Sequence, residues 1–487
     1  MAQLTEIVKA NDIRGLVGTQ LTERIARALG SAFARAVLSP TPDGRPGRVL
    51  IGRDMRDTGE ALAQAFAAGV TGEGGEVVMI GLCSTDGLYY ASGALDAPGV
   101  MLTASHNPAS YNGMKMCRAG ARPIGLDSGL AEIRDLAQKL LDDPAWGLDE
   151  PARPVVEERD TLRGYAEHLR GLVPLGSRRK LKIVVDAGNG MAGLTVPAVL
   201  GAAIGLPELP LEIVPMYFEL DGTFPNHEAN PLDPANLLDL QKAVPAHGAD
   251  LGLAFDGDAD RCFVIDERGE PVSPSAITAL VAAREIAKER AAGREATVIH
   301  NLITSRAVPE VIAENAAKAV RTRVGHAFIK VEMANHDAVF GGEHSAHYYF
   351  RDFWFADTGM LAALHVLAAL GEQDGPLSGL VAQYERYTPS GEINSVVSDV
   401  DEATARVAKA FESRPGVVVD RLDGLTISHE ADAPAGEGSY PGLWWFNLRP
   451  SNTEPLLRLN SEAADPAVMA ALRDEVLGLV RAAEVAS

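Results

Sequence analysis

Apolar runs short enough to be strands alternate with amphipathic stretches long enough to be helices, and the alternation repeats three times before the texture changes near Gly391. Sequences of this kind fold as sheets covered by helices, here as α/β units in series. In the first unit Leu21, Ile25, Leu29, Phe33 and Val37 recur every four residues behind Thr19, a candidate cap, and describe one apolar helical stripe. The run RVLIG, a helical stretch over 60–70 closed by GEGG, and the runs EVVMIG and GVMLTAS follow, which predicts a parallel sheet. The second unit opens after the Pro- and Glu-rich EPARPVVEERD with a helix over 162–172. The strands LKIVVDAG, LEIVPM and DLGLAF then alternate with helices. A third unit has helices over 277–291, 308–317 and 357–370 between the strands ATVIHNL and AVFGGE. The remainder reads as a smaller α+β unit with the strand EINSVVSD, a helix over 403–411, strands near Val417 and over 444–448, and a terminal helix over 467–483. Its segment 424–441, rich in Gly, Ala and Asp, reads as a surface loop. Four domains are expected, at 1–154, 155–269, 270–388 and 389–487.

Charge narrows the function. Lys and Arg number 44 against 66 Asp and Glu, a formal −22, which excludes duplex nucleic-acid binding by bulk field. The longest apolar stretch, 359–370, is shorter than the ~20 residues that cross a bilayer and contains His365. The opening MAQLTEIVKANDIRG has neither a basic nor an apolar targeting region. Cys83, Cys117 and Cys262 are scattered and odd in number, as reduced packing residues would be, so a cytoplasmic enzyme is expected. If its substrate is an anion the overall field repels it, and binding requires a local cluster of Arg, Lys and His.

Four loops carry chemistry. Thr103-Ala104-Ser105-His106-Asn107-Pro108 follows the strand-like GVML, so Ser105 is displayed at a strand end. Pro108 favours extended geometry at Asn107, and Asn112-Gly113 signals a turn that would bring Lys115 back toward the hydroxyl. The segment is not the G-x-S-x-G elbow of a serine hydrolase. Phosphoryl transfer makes a different demand, a cation to neutralise phosphate charge. In Asp256-Gly257-Asp258-Ala259-Asp260-Arg261 three carboxylates alternate across one tight turn, hard oxygen ligands that suit Mg²⁺. An EF-hand also begins D-x-D-x-D, but Arg261 stands where its sharp turn wants Gly and the flanks read as strands. An aspartyl nucleophile of the haloacid-dehalogenase type is not matched, because Asp260 stands at the end of its pattern. Gly341-Gly342-Glu343-His344-Ser345-Ala346-His347 places a carboxylate, a hydroxyl and imidazoles together, a set that suits sugar hydroxyls and also fits zinc ligation. The aromatic YYFRDFWF after it reads as packing. Arg449-Pro450-Ser451-Asn452-Thr453-Glu454-Pro455 interrupts two strand-like runs and offers a guanidinium fork with small polar donors, a phosphate cradle or an ordinary turn.

Together and in this order, TASHNP, DGDADR, GEHSAH and RPSNTEP resemble the loops of the α-D-phosphohexomutase superfamily, in its bacterial phosphomannomutase/phosphoglucomutase branch. The resemblance covers the whole chain and implies three related mixed α/β domains and a C-terminal α+β domain around a central cleft. It implies that Ser105 carries the phosphoryl group and that Asp256, Asp258 and Asp260, with the phosphate on Ser105, hold one Mg²⁺. Glu343, Ser345 and His347 would meet the sugar, and Arg449, Ser451, Asn452 and Thr453 the phosphate that is not reacting. Asp12-Ile13-Arg14-Gly15, Lys115 and the Gly325-His326 of VGHAFIK match further family features. They make Arg14, Lys115, Arg261, His326 and Arg449, with Lys330 and Arg458, the expected positive cluster. General acid/base duty falls to Lys115 or His326.

The activity implied is interconversion of mannose 6-phosphate and mannose 1-phosphate, with the glucose phosphates alongside. It runs through a phosphoserine enzyme and a hexose 1,6-bisphosphate that also serves as activator. GEHSAH lies closer to the mannose/glucose branch than to the GEQSGH of phosphoglucosamine mutases or the GEESG of glucose-specific enzymes. The alternatives are phosphoglucomutase or phosphoglucosamine mutase as main activity, and, in another class, a silent phosphosugar-binding protein. Partners are small hexose phosphates, with no nucleic acid or membrane, and the assembly is a monomer or homodimer.

Overall fold

The protein is represented by a computed structural model describing residues 3–39, 44, 46–146, 156–176, 178–433, 440–450 and 456–482, with the side chains of 326 and 327 left out. Four sheets follow one another along the chain. The first contains β1 (Ile13–Leu16), β2 (Arg48–Arg53), β3 (Glu76–Leu82), β4 (Gly99–Leu102), β5 (Tyr111–Arg118), β6 (Arg122–Pro123) and β7 (Val156–Glu158). Its order is β1-β5-β4-β2-β3-β7, with β6 beside β5. Strands β4, β2, β3 and β7 are parallel, whereas β1 and β5 run antiparallel to their neighbours, so the sheet is mixed rather than parallel.

The expected turn at Asn112-Gly113 causes that difference, because both residues lie inside β5. A Cβ on Gly113 would stand 2.1 Å from the Ile13 carbonyl oxygen, so glycine there lets β1 pair closely instead of reversing the chain. Lys115 nonetheless returns beside β4, paired with Met101. The first helix, Glu23–Val37, is capped by Thr22, whose hydroxyl accepts from the Ile25 N–H, and not by Thr19.

The second sheet joins β8 (Leu181–Asp186), β9 (Leu211–Met216), β10 (Leu251–Phe255), β11 (Cys262–Asp266) and β12 (Pro271–Val272) in the order β12-β11-β10-β8-β9. Into the third come β13 (Thr297–Asn301), β14 (Lys318–Thr322), β15 (Phe340–Gly342), β16 (Tyr348–Phe350) and β17 (Ala356–Asp357), ordered β14-β13-β15-β16-β17. Apolar side chains of these two units merge into a single core, which includes Tyr165, Val185, Phe255, Leu280, Phe340 and Leu364. The aromatic segment after the third loop belongs to it, with Tyr348, Phe350 and Phe353 buried. The apolar helix Gly359–Gly371 is buried along its whole length. Among the described residues no helix is long and apolar enough to cross a membrane. The three cysteines are free and buried.

The last sheet, β18 (Thr388–Val396), β19 (Val417–Asp420), β20 (Leu425–His429), β21 (Trp444–Pro450) and β22 (Leu456–Ala463), is antiparallel with order β18-β22-β21-β20-β19. Strand β20 lies inside the segment expected to be a loop. Leu425 and Ile427 face the core, and cross-strand packing against β19 and β21 overrides the weak strand signal of its polar neighbours.

One carboxylate binds three units together. Asp86, in the first turn of the helix Thr85–Leu95, accepts hydroxyl hydrogen bonds from Ser84 of its own unit, from Tyr165 (2.7 Å) and from Thr358 (2.7 Å). Burial, opposed by these three hydroxyls, pushes its carboxyl up to about 6. The folded value exceeds the ordinary carboxylate value of about 3.9, so Asp86 contributes stability in acid that is lost as pH rises through about 6. Melting temperatures of the parent and of Asp86→Asn, compared from about pH 5 to 8, should show the variant gaining on the parent up to about pH 7 and then holding level. Parallel curves would show that ionising this carboxyl costs the fold nothing.

Candidate active site

Ser105 sits just past the end of β4 in a loop that its own side chains stiffen. Thr103 Oγ1 accepts the Ser105 N–H (2.9 Å), and the Asn107 N–H reaches the Ala104 carbonyl (3.0 Å). Ser105 itself is left-handed, at φ 50, a conformation that costs a residue with a side chain roughly 1 kcal/mol or more. The turn 256–261 between β10 and β11 is pressed against it. A Cβ on Gly257 would lie 2.5 Å from the Ser105 carbonyl oxygen, which glycine alone avoids. Ser105 Oγ donates to Asp256 Oδ2 (2.8 Å) and accepts from Arg261 Nη2 (3.3 Å), and Arg261 Nε also holds Asp256 (3.0 Å). His106 Nδ1 lies 2.5 Å from Arg261 Nη2. Burial, then the charges of Arg261 and Arg14, hold its imidazole down at about 2, so it is neutral and accepts.

The three carboxylates of the turn are 1 % exposed or less and bring ligand oxygens within 4.8 Å of one another. Asp258 Oδ1 and Asp260 Oδ1 have no hydrogen-bond partner although both are buried. Two orphaned hard oxygens beside a third carboxylate fit a divalent cation of the Mg²⁺ type. The opposite oxygens are held: Asp258 Oδ2 accepts from Thr85 Oγ1 (2.6 Å) and Lys115 Nζ (2.7 Å), and Asp260 Oδ2 from Lys115 Nζ (2.5 Å). Burial works against the charge on Asp258, but Lys115 and Thr85 hold it well below the usual carboxylate range. Asp256 goes the other way, pushed up by burial and opposed by Arg261. Burial also acts against the Lys115 charge, yet Asp258 and Asp260 overcome it and keep the ammonium protonated far above neutrality. The flanks of the turn are strands, which is not an EF-hand.

A cleft of about 1050 Å³ opens over this junction, lined by Arg14, Ser105, His106, Lys115, Arg261 and His347. Arg14 reaches the loop through the Ala104 carbonyl (3.3 Å) and Asn107 Oδ1 (2.5 Å). From the third unit, Ser345 Oγ lies 3.1 Å from His347 Nδ1, and His347 Nε2 stands 3.8 Å from Asp260 Oδ1. Glu343 is 2 % exposed and accepts from Tyr349 OH (2.8 Å), Asn301 Nδ2 (3.2 Å) and the Gly325 N–H (3.2 Å). Its carboxylate is thereby tied to the start of the helix His326–His336.

The expected positive cluster divides. Arg14, Lys115 and Arg261 share the cleft. Lys330 pairs with Asp357 (2.6 Å) behind Tyr89, and Arg449, 6 % exposed, pairs through Nη2 with Glu392 (2.8 Å), which also neighbours Arg458 (3.6 Å), while Arg449 Nη1 has no hydrogen-bond partner. Ser451, Asn452 and Thr453 and the side chain of His326 lie outside the described residues.

Four domain models, all of phosphoglucomutase/phosphomannomutase, match in succession: alpha/beta/alpha domain I at 5–142, domain II at 163–269, domain III at 274–387 and the C-terminal domain at 392–479. A phosphomannomutase of Escherichia coli is 39% identical over 99% of the chain and 100% of its own length. The chain belongs to the phosphoglucomutase/phosphomannomutase family. Phosphohexose mutases of Xanthomonas campestris are 40% identical over 97% of the chain and 98% of their own length. The crystal structure of a phosphoglucomutase/phosphomannomutase family protein from Burkholderia thailandensis superposes with a TM-score of 0.81 at 29% identity, covering 99% of this chain and 98% of that one.

In this phosphoglucomutase/phosphomannomutase family member, sequence reasoning passed over two groups beside the carboxylate turn. His106 is next to the chosen serine and could have been read from TASHNP. Thr85 could not, since it meets Asp258 across 173 residues of chain. Its side chain and its backbone N–H (3.0 Å, to the Asp258 carbonyl) both fix Asp258. Thr85→Val keeps the shape and removes the hydroxyl, and should weaken binding of Mg²⁺ titrated alone about 10-fold by calorimetry. Unchanged affinity would remove Thr85 from the set that orients the turn.

Proposed function

We propose that this family member is a phosphomannomutase in which Ser105 carries the phosphoryl group, acting on glucose phosphates as well. The observation that carries the reading is Ser105 Oγ, 2.8 Å from Asp256 and 3.3 Å from Arg261, beside a turn with two unpartnered carboxylate oxygens. The relatives named phosphomannomutase, 39% identical over 93–99% of the chain, favour the mannose phosphates.

Asp256, Asp258 and Asp260 would hold Mg²⁺, which when bound neutralises charge on the transferring phosphoryl group. In the forward half-reaction the bond from phosphorus to Ser105 Oγ breaks and one forms to a hexose hydroxyl oxygen, giving a hexose 1,6-bisphosphate. Arg261, fixed by Asp256, is placed to hold charge on Ser105 Oγ as it departs. General acid/base duty falls to Lys115 or His326: the charged Lys115 suits the donation of a proton to that oxygen, and removal of the hydroxyl proton falls to His326 or to Lys115 once it has given its own proton up. The bisphosphate then turns over and returns its other phosphate to Ser105. Arg449 with Ser451, Asn452 and Thr453 would grip whichever phosphate is not reacting, and Glu343, Ser345 and His347 the sugar. His344, at the position that separates GEHSAH from the GEQSGH and GEESG types, is turned onto Ser275 Oγ (2.9 Å) and does not line the cleft. The enzyme works in the cytoplasm as a monomer or homodimer, with hexose 1,6-bisphosphate as activator.

The test is ³¹P NMR with Mg²⁺ and trace hexose 1,6-bisphosphate, offering mannose, glucose and glucosamine 1-phosphates in turn. Conversion to 6-phosphates is expected, fastest for mannose and slowest for glucosamine. Ser105→Ala should lose turnover by about 10³-fold or more and should lack the added ~80 Da that the parent carries as one phosphate. Full turnover in that variant, or no conversion of any sugar by the phosphorylated parent, would overturn the reading.

A further inference from the structure

The loop that displays Ser105 raises a question of satisfaction. Its carbonyls at Ser105, Asn107, Pro108 and Tyr111 converge on one side chain, the first of them at a buried contact and the others at partly buried ones. That side chain donates to them all. Arg56, 2 % exposed, sends Nη1 to the carbonyls of Pro108 and Tyr111 (both 2.9 Å) and Nη2 to those of Ser105 (3.0 Å) and Asn107 (2.6 Å). Its Nε goes to Asp54 Oδ2 (3.3 Å), and its backbone N–H to Asp54 Oδ1 (3.0 Å). A guanidinium has five N–H groups, and each of the five is committed to one acceptor. Nothing is left for a substrate.

The other face of the same guanidinium meets the second unit. Arg56 Cζ stands 5.1 Å from the centre of the Phe224 ring, and a Cβ on Gly222 would lie 2.7 Å from Arg56 Cα. Arg56 thus joins the serine loop to a segment of the unit that carries the carboxylate turn.

We propose that Arg56 is a positioning residue for phosphoryl transfer, a clamp whose fork holds Ser105 in its left-handed conformation against the turn 256–261. The proposal rests on the Ser105 reading above. Displacement of a reacting atom by about 1 Å can cost 10²-fold in rate, so the clamp acts on turnover and not on substrate affinity. A lysine keeps the charge but offers a single point donor, which cannot reach four diverging carbonyls.

The experiment compares the full-length parent with Arg56→Lys, and with Asp54→Asn, which leaves the four loop contacts in place and slackens the guanidinium. Three quantities are read on each: kcat and KM for mannose 1-phosphate, affinity for Mg²⁺ titrated alone, and amide hydrogen exchange over 103–111. For Arg56→Lys, kcat should fall by about 10- to 100-fold with KM and Mg²⁺ affinity within about 3-fold of the parent, and exchange over the loop should quicken. Asp54→Asn should give a smaller fall with the same split, and it serves where Arg56→Lys does not fold. Parent-like kcat in a folded variant, or a loss of rate matched by loss of Mg²⁺ affinity with exchange unchanged, would overturn the clamp. Failure of the Ser105 reading looks different: the parent itself would then carry no phosphate on Ser105, while loop exchange would still report on the clamp.

Discussion

Asp256, Asp258 and Asp260 bring three carboxylates into a space 4.8 Å across with almost no contact with solvent. Two like charges at about 4 Å repel by about 4 kcal/mol even in an effective dielectric of 20, so the turn is unfavourable by itself. What offsets the repulsion comes only partly from its own unit. Arg261 belongs to the turn, whereas Lys115, from the first sheet, and Thr85, from a helix of the first unit, reach in from outside it. The association of the first two units and the electrostatics of the site are therefore one problem. A cation on the orphaned oxygens would act in the same direction as Lys115.

Packing carries this constraint outward. The second and third units share a core, and the helix Gly359–Gly371 starts against the back of the carboxylate turn, where a Cβ on Gly359 would lie 2.6 Å from the Arg261 carbonyl carbon. Its N-cap Thr358 also donates to Asp86, one residue along the chain from the Thr85 that holds Asp258. Side chains of three units thus bear on a single carboxylate turn. The fourth unit keeps a core of its own and holds Arg449 through its own Glu392, so the arginine expected to meet phosphate lies apart from the groups around Ser105.

The loops were legible because their chemistry is local. Ser105 stands within a few residues of β4 and β5, and the three aspartates within a few residues of one another and of β10 and β11, so spacing shows each set. Strands β8, β9 and β10 of the second unit and β13 and β15 of the third were legible for the same reason, whereas β14, β16 and β17, short or without an apolar run of their own, were not expected. Strand β20 was hidden because Leu425 and Ile427 alternate with Thr426 and Ser428 beside a Gly- and Ala-rich stretch, and only pairing with β19 and β21 makes them a strand. Asn112-Gly113 misled because glycine serves close approach as well as reversal, and the approach of Ile13 comes from 100 residues earlier in the chain. Arg56, Thr85 and Asp86 left no trace in the sequence, for their partners lie up to 272 residues away.

That last separation bears on how the chain is made. At about 5 to 20 residues per second, synthesis of the residues between Asp86 and Thr358 takes roughly 15 to 50 seconds, long enough for the first unit to fold while the rest is still being translated. Through that interval the face awaiting Tyr165 and Thr358 presents an ionised carboxylate to water beside the rings of Tyr89 and Tyr90. A nascent domain so marked resists self-association, and its last buried charge is covered only when the third unit leaves the ribosome.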